Sequence, residues 1–276
     1  MTVLEIVRSG WATTIQDGGR MGYAALGVPH GGPLDRHLHQ LVNRLVGNDS
    51  DAAALETAGG LALRAAGPMV VATSAELVAR SVGAGETIDV DPAAGDLWGY
   101  VAVRGGLAVE RVLGSRSHDT LSGLGPPDVT ASMMLPIGPD PGTALALDQA
   151  PPRLRPPTVT VWPGPRVDWF VDGTVERLIA ATWTVTKDVS RVGARLDGPP
   201  LARRRPEELA SEGLVLGAIQ VPPDGLPVVM LADHPTTGGY PVIAVVDPAD
   251  VATIAQTRPG NAVHFRLHRD ATRARA

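Results

Sequence analysis

Asp17-Gly18-Gly19-Arg20-Met21-Gly22 and Asp188-Val189-Ser190-Arg191-Val192-Gly193 share one pattern, D-x-x-R-x-G, and each is followed by a Val-Pro pair, Val28-Pro29 or Val221-Pro222. The copies stand more than half the chain apart, far beyond the period of a solenoid repeat. The pattern therefore predicts two related lobes, with an Asp and an Arg from each placed alike, at a shared cleft. The alternative use of each Asp and Arg is a buried pair that pins its own loop.

Around this duplication the composition is that of a globular chain: 276 residues, 44% hydrophobic, 19% charged, with 32 Gly and 25 Pro. Such punctuation favours many short strands and turns over long helices. Phe170 and Phe265 are the only phenylalanines, so aliphatic residues must fill the core. The net charge of −5 and the lack of a dense basic patch argue against nucleic acid. Lys187 is the only lysine, and there is no cysteine, which excludes disulfides, thiolate metal sites and a cysteine nucleophile. The N-terminus lacks the basic and apolar regions of a signal peptide, and no apolar run approaches the ~20 residues that span a bilayer. A cytoplasmic location is the expectation.

Along the chain, Val3–Val7 reads as a strand, 11–33 as loop with a short strand over Tyr23–Val28, and 35–46 as a helix. That helix carries Leu34, Leu38, Leu41 and Leu45 at helical spacing, with Asp35 as N-cap and Gly47 beyond its end. Segments 61–66, 69–73, 76–81 and 98–103 read as strands. Prolines at 126, 127, 136, 139, 141, 151, 152 and 156 mark 126–156 as an extended connection between lobes 1–150 and 151–276. The second lobe reads as strands at 157–162 and 181–186, a helix at 166–180, a hairpin over 214–232, a strand at 240–246, a helix at 248–256 and a strand at 262–267. Without βαβ alternation the expected class is mainly β, two β-barrel-like lobes with a few helices.

Standard catalytic signatures are missing. Lys187 sits in no phosphate loop, and neither a G-x-S-x-G elbow nor H-E-x-x-H occurs. His37 and His39 are roughly 200° apart on a helix and cannot share one ion from it. What remains is polar, glycine-rich loops. In Asp233-His234-Pro235-Thr236-Thr237-Gly238-Gly239-Tyr240-Pro241, two hydroxyls and glycine backbone can meet an anion, and His234 can move a proton. Otherwise the threonines satisfy the loop's own backbone. In Thr13 to Arg20, Gln16, Asp17 and Arg20 are substrate-binding candidates, since a guanidinium grips a carboxylate or phosphate bidentately. Arg104, in Val103-Arg104-Gly105-Gly106, and Arg116, in Leu113-Gly114-Ser115-Arg116-Ser117-His118, are further anion candidates. Gln220 ends a hairpin strand.

These motifs together resemble one family. They are Thr14 to Arg20, Gly27-Val28-Pro29-His30-Gly31-Gly32-Pro33-Leu34-Asp35, Asn43 to Asn48, Leu55-Glu56, Val103 to Gly106 and Leu113 to Ser117. In the second half they are Gly217-Ala218-Ile219-Gln220-Val221-Pro222, Asp233-His234, Thr236 to Pro241 and Gln256-Thr257-Arg258-Pro259-Gly260. The chain resembles the biotin-dependent carboxyltransferase-like family, which includes the C subunit of 5-oxoprolinase, allophanate hydrolase subunit 2 and the antagonist of the sporulation kinase inhibitor. The resemblance implies two cyclophilin-like β-barrel lobes. It also implies a partner, either the B subunit of 5-oxoprolinase or the allophanate hydrolase subunit 1 type of protein, and beyond it the A subunit. It implies ATP with Mg, used through the complex, to activate the lactam of 5-oxoproline for hydrolysis to glutamate. It also admits carboxyl transfer to a urea-like amide, or a purely regulatory binding protein. No Ala-Met-Lys-Met-like segment is present, so this chain carries no biotin itself. His234, Thr236, Thr237 and Asp233 would then be catalytic. Gln16, Asp17, Arg20, Arg104, Arg116, Gln220, Gly238, Gly239 and Tyr240 would bind substrate, with Asp17 orienting an arginine and Asp233 orienting His234. The chain departs from the family pattern at Val189-Ser190, at His118, and at Pro126-Pro127-Asp128-Val129, where a glycine-rich segment with an arginine is expected.

Overall fold

The computed structural model describes residues 2–145, 149–151 and 155–270. The chain divides into two compact units, Met1–Met21 with Gly31–Arg153 and Gly22–His30 with Leu154–Ala276.

Among its described residues the first unit holds nine strands: β1 (Val3–Ser9), β2 (Thr14–Gln16), β3 (Ala54–Thr57), β4 (Leu61–Ala65), β5 (Met69–Thr73), β6 (Ala79–Val82), β7 (Thr87–Val90), β8 (Gly99–Val103) and β9 (Met134–Pro136). They form two antiparallel sheets, ordered β7-β4-β1-β9 and β2-β3-β8-β5-β6. Leu4, Ile6, Leu61 and Leu63 from one sheet and Ile15, Leu55, Val71 and Val101 from the other share a single buried core, as period-two strands with one apolar face require. Within 126–156, expected to be only a connection, Met134–Pro136 pairs with β1 through Leu4↔Leu135.

The predicted helix is α1 (Arg36–Leu45), with the Asp35 carboxylate capping the Leu38 amide at 3.1 Å. Gly47 beyond it has φ 74°, and a Cβ there would stand 2.6 Å from Arg104 Nη1, so only glycine fits. The helix start is bound to the sheet by a buried network. Tyr100 Oη donates to Glu56 Oε2 at 2.6 Å and accepts from the Asp35 amide at 2.7 Å, while the Leu34 amide donates to the same Glu56 oxygen at 2.8 Å.

His39 lies on the buried face of α1 and donates from Nε2 to the Gln16 carbonyl at 3.0 Å. Burial pushes its pKa below 6.5, against weaker opposing effects of that carbonyl and of Asp51 and Asp17. The unfolded chain therefore binds more protons below pH 6.5 than the folded one. His39 supports folding fully above that pH and progressively less as pH falls toward the depressed native value. Urea unfolding from pH 7 to 5 should show a fall in stability that is smaller in His39→Leu. Equal slopes in both proteins would contradict this account.

The second unit is a closed barrel of β10 (Thr158–Pro163), β11 (Thr182–Val189), β12 (Gly193–Asp197), β14 (Ala218–Gln220), β15 (Val228–Met230), β17 (Val242–Val246) and β18 (Ala262–Leu267), ordered β10-β17-β14-β15-β12-β11-β18. One parallel pair, β10 with β18 in the register Val159↔Phe265, closes it; the other pairs are antiparallel. A separate ribbon pairs β13 (Glu212–Gly213) with β16 (Thr237–Gly238). The expected hairpin over 214–232 is present as β14–β15, with Ile219 opposite Val229. The helix expected over 166–180 is broken. A 3-10 turn at Val167–Trp169 is followed by Gly173 at φ 81° and by α2 (Thr174–Ala180). Residues 248–256 yield α3 (Val251–Gln256). Tyr23–Val28 is no strand, because Ala24–Leu26 forms a 3-10 turn ending in left-handed Gly27. Among the described residues no helix is long and apolar enough to cross a membrane.

Candidate functional site

In the first unit the polar cluster is built on β2 and the 115–118 segment. The Asp17 carboxylate accepts from Ser115 Oγ at 2.5 Å, the Arg116 amide at 2.6 Å, Ser117 Oγ at 2.9 Å and the Gly19 amide at 3.0 Å. A carboxylate can accept four such bonds, and these define the loop. Asp17 therefore does not orient an arginine side chain as expected, nor does it form the alternative pair with Arg20. Arg20 donates through Nη2 to the Ser117 carbonyl and through Nε to the Val112 carbonyl at 3.5 Å. Gln16 Nε2 donates to Thr14 Oγ1 and to the His118 carbonyl, both at 2.9 Å. Arg20 Nη1 and Gln16 Oε1 are enclosed without a partner among the described residues. Arg116 is anchored by Nε on the Val109 carbonyl at 2.7 Å, and neither of its outer nitrogens has a partner among the described residues.

Gln16, Asp17, Arg20 and Arg116 thus come together, whereas Arg104 has other partners. Its three nitrogens go to Asp140 Oδ1 at 2.9 Å, the Val46 carbonyl at 2.9 Å and the Thr143 carbonyl at 2.7 Å. This use fastens a loop, and the guanidinium holds the exposed Asp140 carboxyl below its usual range. The departure at 118 also has a structural use. His118 Nδ1 bonds the Pro126 carbonyl at 2.8 Å and Nε2 meets Asp128 Oδ1 at 3.1 Å, so the histidine holds the variant segment.

In the second unit the Asp233 carboxylate takes two bonds from Arg191, Nε and Nη2, each at 2.8 Å, and both side chains are fully buried. Two expectations need correction here. Asp233 holds Arg191 rather than His234, and Arg191 is paired with Asp233 rather than with exposed Asp188. His234 instead donates from Nδ1 to the Pro235 carbonyl at 2.7 Å. A carbonyl only accepts, so Nδ1 carries a proton, and in the neutral imidazole the lone pair lies on Nε2. Nε2 has no partner among the described residues and is not an enclosed atom.

The Thr236 and Thr237 hydroxyls likewise carry no bond to the loop's own backbone among the described residues; the loop is held instead by strand pairing, Glu212↔Gly238 and Gly213↔Thr237. Gly238 sits in that strand and not in a left-handed turn, and a larger residue there would have to push aside two side-chain ends. A Cβ there would lie 2.7 Å from both Gln220 Nε2 and Leu214 Cδ1. Gln220 Nε2 donates to the Tyr240 carbonyl at 3.0 Å, and its Oε1 has no partner among the described residues and is not enclosed. Gln220 therefore meets the loop at Gly238 and Tyr240, and Thr236 and Thr237 lie in that same loop with His234; Gly239 approaches the Leu209 carbonyl, 3.2 Å from its would-be Cβ. The loop presents one imidazole and several open donors and acceptors. Among the described residues no three His, Asp or Glu side chains gather as metal ligands.

Sequence reading missed Ser115 and Ser117, although their alternation beside a loop Asp was a usable signal. It also missed Arg166 and Glu212, which no local pattern links.

The family model for the carboxyltransferase domain, subdomains A and B, matches residues 26–267. The chain belongs to this family. Its relatives include the C subunit of 5-oxoprolinase from Escherichia coli strain K12, 34% identical over 95% of this chain and 90% of that one. The urea amidolyase of Lachancea kluyveri is 30% identical over 95% of this chain but only 17% of its own length. Among solved structures, TTHA0988 superposes with a TM-score of 0.86 at 32% identity, covering 96% of this chain. This chain spans 55% of the length of that one. The K. lactis urea amidolyase superposes with a TM-score of 0.84 at 27% identity, over 95% of this chain and 18% of its own. The carboxyltransferase domain is thus found in parts of hydrolase and carboxylase enzymes, and a mainly β chain with a closed barrel agrees with it.

Proposed function

We propose that this family member is the C subunit of a cytoplasmic, ATP-dependent 5-oxoprolinase, working with a partner of the B-subunit type and, for the final hydrolysis, the A subunit. The observation that carries the reading is the match to a C subunit of 5-oxoprolinase over 95% of this chain and 90% of that one. The second-unit site is suited to the task. Gln220 Oε1 accepts from the lactam N–H, the Thr236 and Thr237 hydroxyls donate to anionic oxygens, and His234 Nε2 takes up a proton. ATP with Mg, bound through the complex, supplies the phosphoryl group. In the first unit Arg116 offers free guanidinium nitrogens to an anion.

The test is ADP release by the purified complex with and without 5-oxoproline. Release should be lactam-stimulated. His234→Ala should lower it by about 100-fold and Thr237→Ala should also reduce it, with circular dichroism unchanged in both. Normal turnover in both variants would refute the site assignment. Carboxyl transfer to a urea-like amide is the second reading, favoured by the urea amidolyase match; turnover sensitive to avidin would select it.

A further inference from the structure

We propose that Arg166 and Glu212 clamp the Thr236–Gly238 segment in place, as positioning residues for the chemistry of the 233–241 loop; the effect on turnover rests on the 5-oxoprolinase reading. The β13–β16 ribbon contains only two residues a side, and a ribbon that short is marginal unless something else fixes it. Arg166 is placed to do so from both directions. Its guanidinium grips Glu212, Nε to Oε2 at 2.9 Å and Nη2 to Oε1. Its amide donates to the Val242 carbonyl at 3.2 Å, where β17 begins just after the loop. One residue thus holds the strand opposite the loop and the point where the loop ends.

Glu212 pairs across to Gly238, and the Leu214 amide closes the ribbon on the Thr236 carbonyl at 2.8 Å. Gly238 in turn lies against the side-chain ends of Gln220 and Leu214. Displacing β13 would therefore shift Thr237, Gly238 and the Gln220 amide together. The two-point fork requires arginine, since a lysine ammonium cannot reproduce it. The hydrogen bond from Arg166 also keeps the Glu212 carboxyl below its usual range, so the pair stays charged at neutral pH.

Hydrogen exchange on the full chain provides the direct test. A single exposed-to-intermediate ion pair shifts a local opening equilibrium by up to roughly fivefold. The Leu214 amide in Arg166→Met should exchange about that much faster, while the Val229 amide in the barrel stays as in the parent. The charge-swapped double variant Arg166→Glu/Glu212→Arg should recover much of the protection. An unchanged Leu214 rate in Arg166→Met overturns the clamp. In the complex, lactam-stimulated ADP release should lose kcat, with KM little changed, in Arg166→Met and regain it in the swap. Faster exchange with unaltered kcat overturns the positioning role. If the parent complex shows no lactam stimulation, the 5-oxoprolinase reading fails, while the exchange result still decides the clamp.

Discussion

Arg191→Met should destabilise the second unit by about 3–5 kcal/mol, because it strips the guanidinium from a carboxylate that is wholly buried. Asp233 would be left buried without either 2.8 Å bond from Arg191, and its enclosed surroundings offer poor solvation in exchange. For a unit of this size the midpoint of thermal unfolding should fall by about 10–20 °C. Trp169 and Trp183 are buried in this unit, so their fluorescence during urea unfolding reports the change. The double variant Arg191→Met/Asp233→Leu should recover part of the loss, since it removes the carboxylate that the single variant leaves without its guanidinium. A single variant within about 1 kcal/mol of the parent would show that the pair is not the buried anchor described.

Asp17→Ala should cost the first unit about 3 kcal/mol, the penalty for leaving buried donors unpaired. The Ser115 and Ser117 hydroxyls can turn elsewhere, but the Arg116 and Gly19 amides cannot. The loop that supplies Arg20 with its Ser117 carbonyl would loosen, and Arg116 would lose its fixed starting point. Asp17→Asn should cost less than Ala. It keeps one acceptor for Ser115, Ser117 and Gly19, yet sets an N–H donor against the Arg116 amide. Urea unfolding of both variants measures the order. Alanine costing no more than asparagine would mean that the four bonds do not hold the loop.

The two predictions concern corresponding motifs of the duplicated pattern, used differently. In the first copy the Asp is the hub and the Arg bonds carbonyls. In the second the Arg is the buried partner and its own motif's Asp188 lies exposed. The same spacing recurs in the two units, but partners of these charges come from loops far along the chain.

That difference separates what the chain shows locally from what folding adds. Helix α1 was legible because leucines at helical spacing, an Asp cap and a terminal glycine all act within a dozen residues. The β14–β15 hairpin was legible because two apolar runs flank a Pro-Pro-Asp-Gly turn. The mainly β class followed from the punctuation. Short strands such as β3 and β7 escaped notice, since four residues carry little periodic signal. So did the break at Gly173, where a left-handed residue interrupts an otherwise plausible helix.

At the candidate site, residue types were readable and their uses were not. His234, Thr236, Thr237 and Gln220 stood out as polar groups in a glycine-rich loop and at a strand end, and the fold leaves their Nε2, hydroxyls and Oε1 open. Arg104 looked the same in sequence as Arg116, yet one is committed to the 140–143 loop and the other keeps its outer nitrogens free. Which side chains capable of chemistry lie in close-approaching, glycine-rich backbone could be read from the residues in order, because that depends on neighbours along the chain. Which of them are spent on holding the fold was settled by packing in three dimensions, because a buried charge takes its partner from whatever distant segment comes within hydrogen-bond reach.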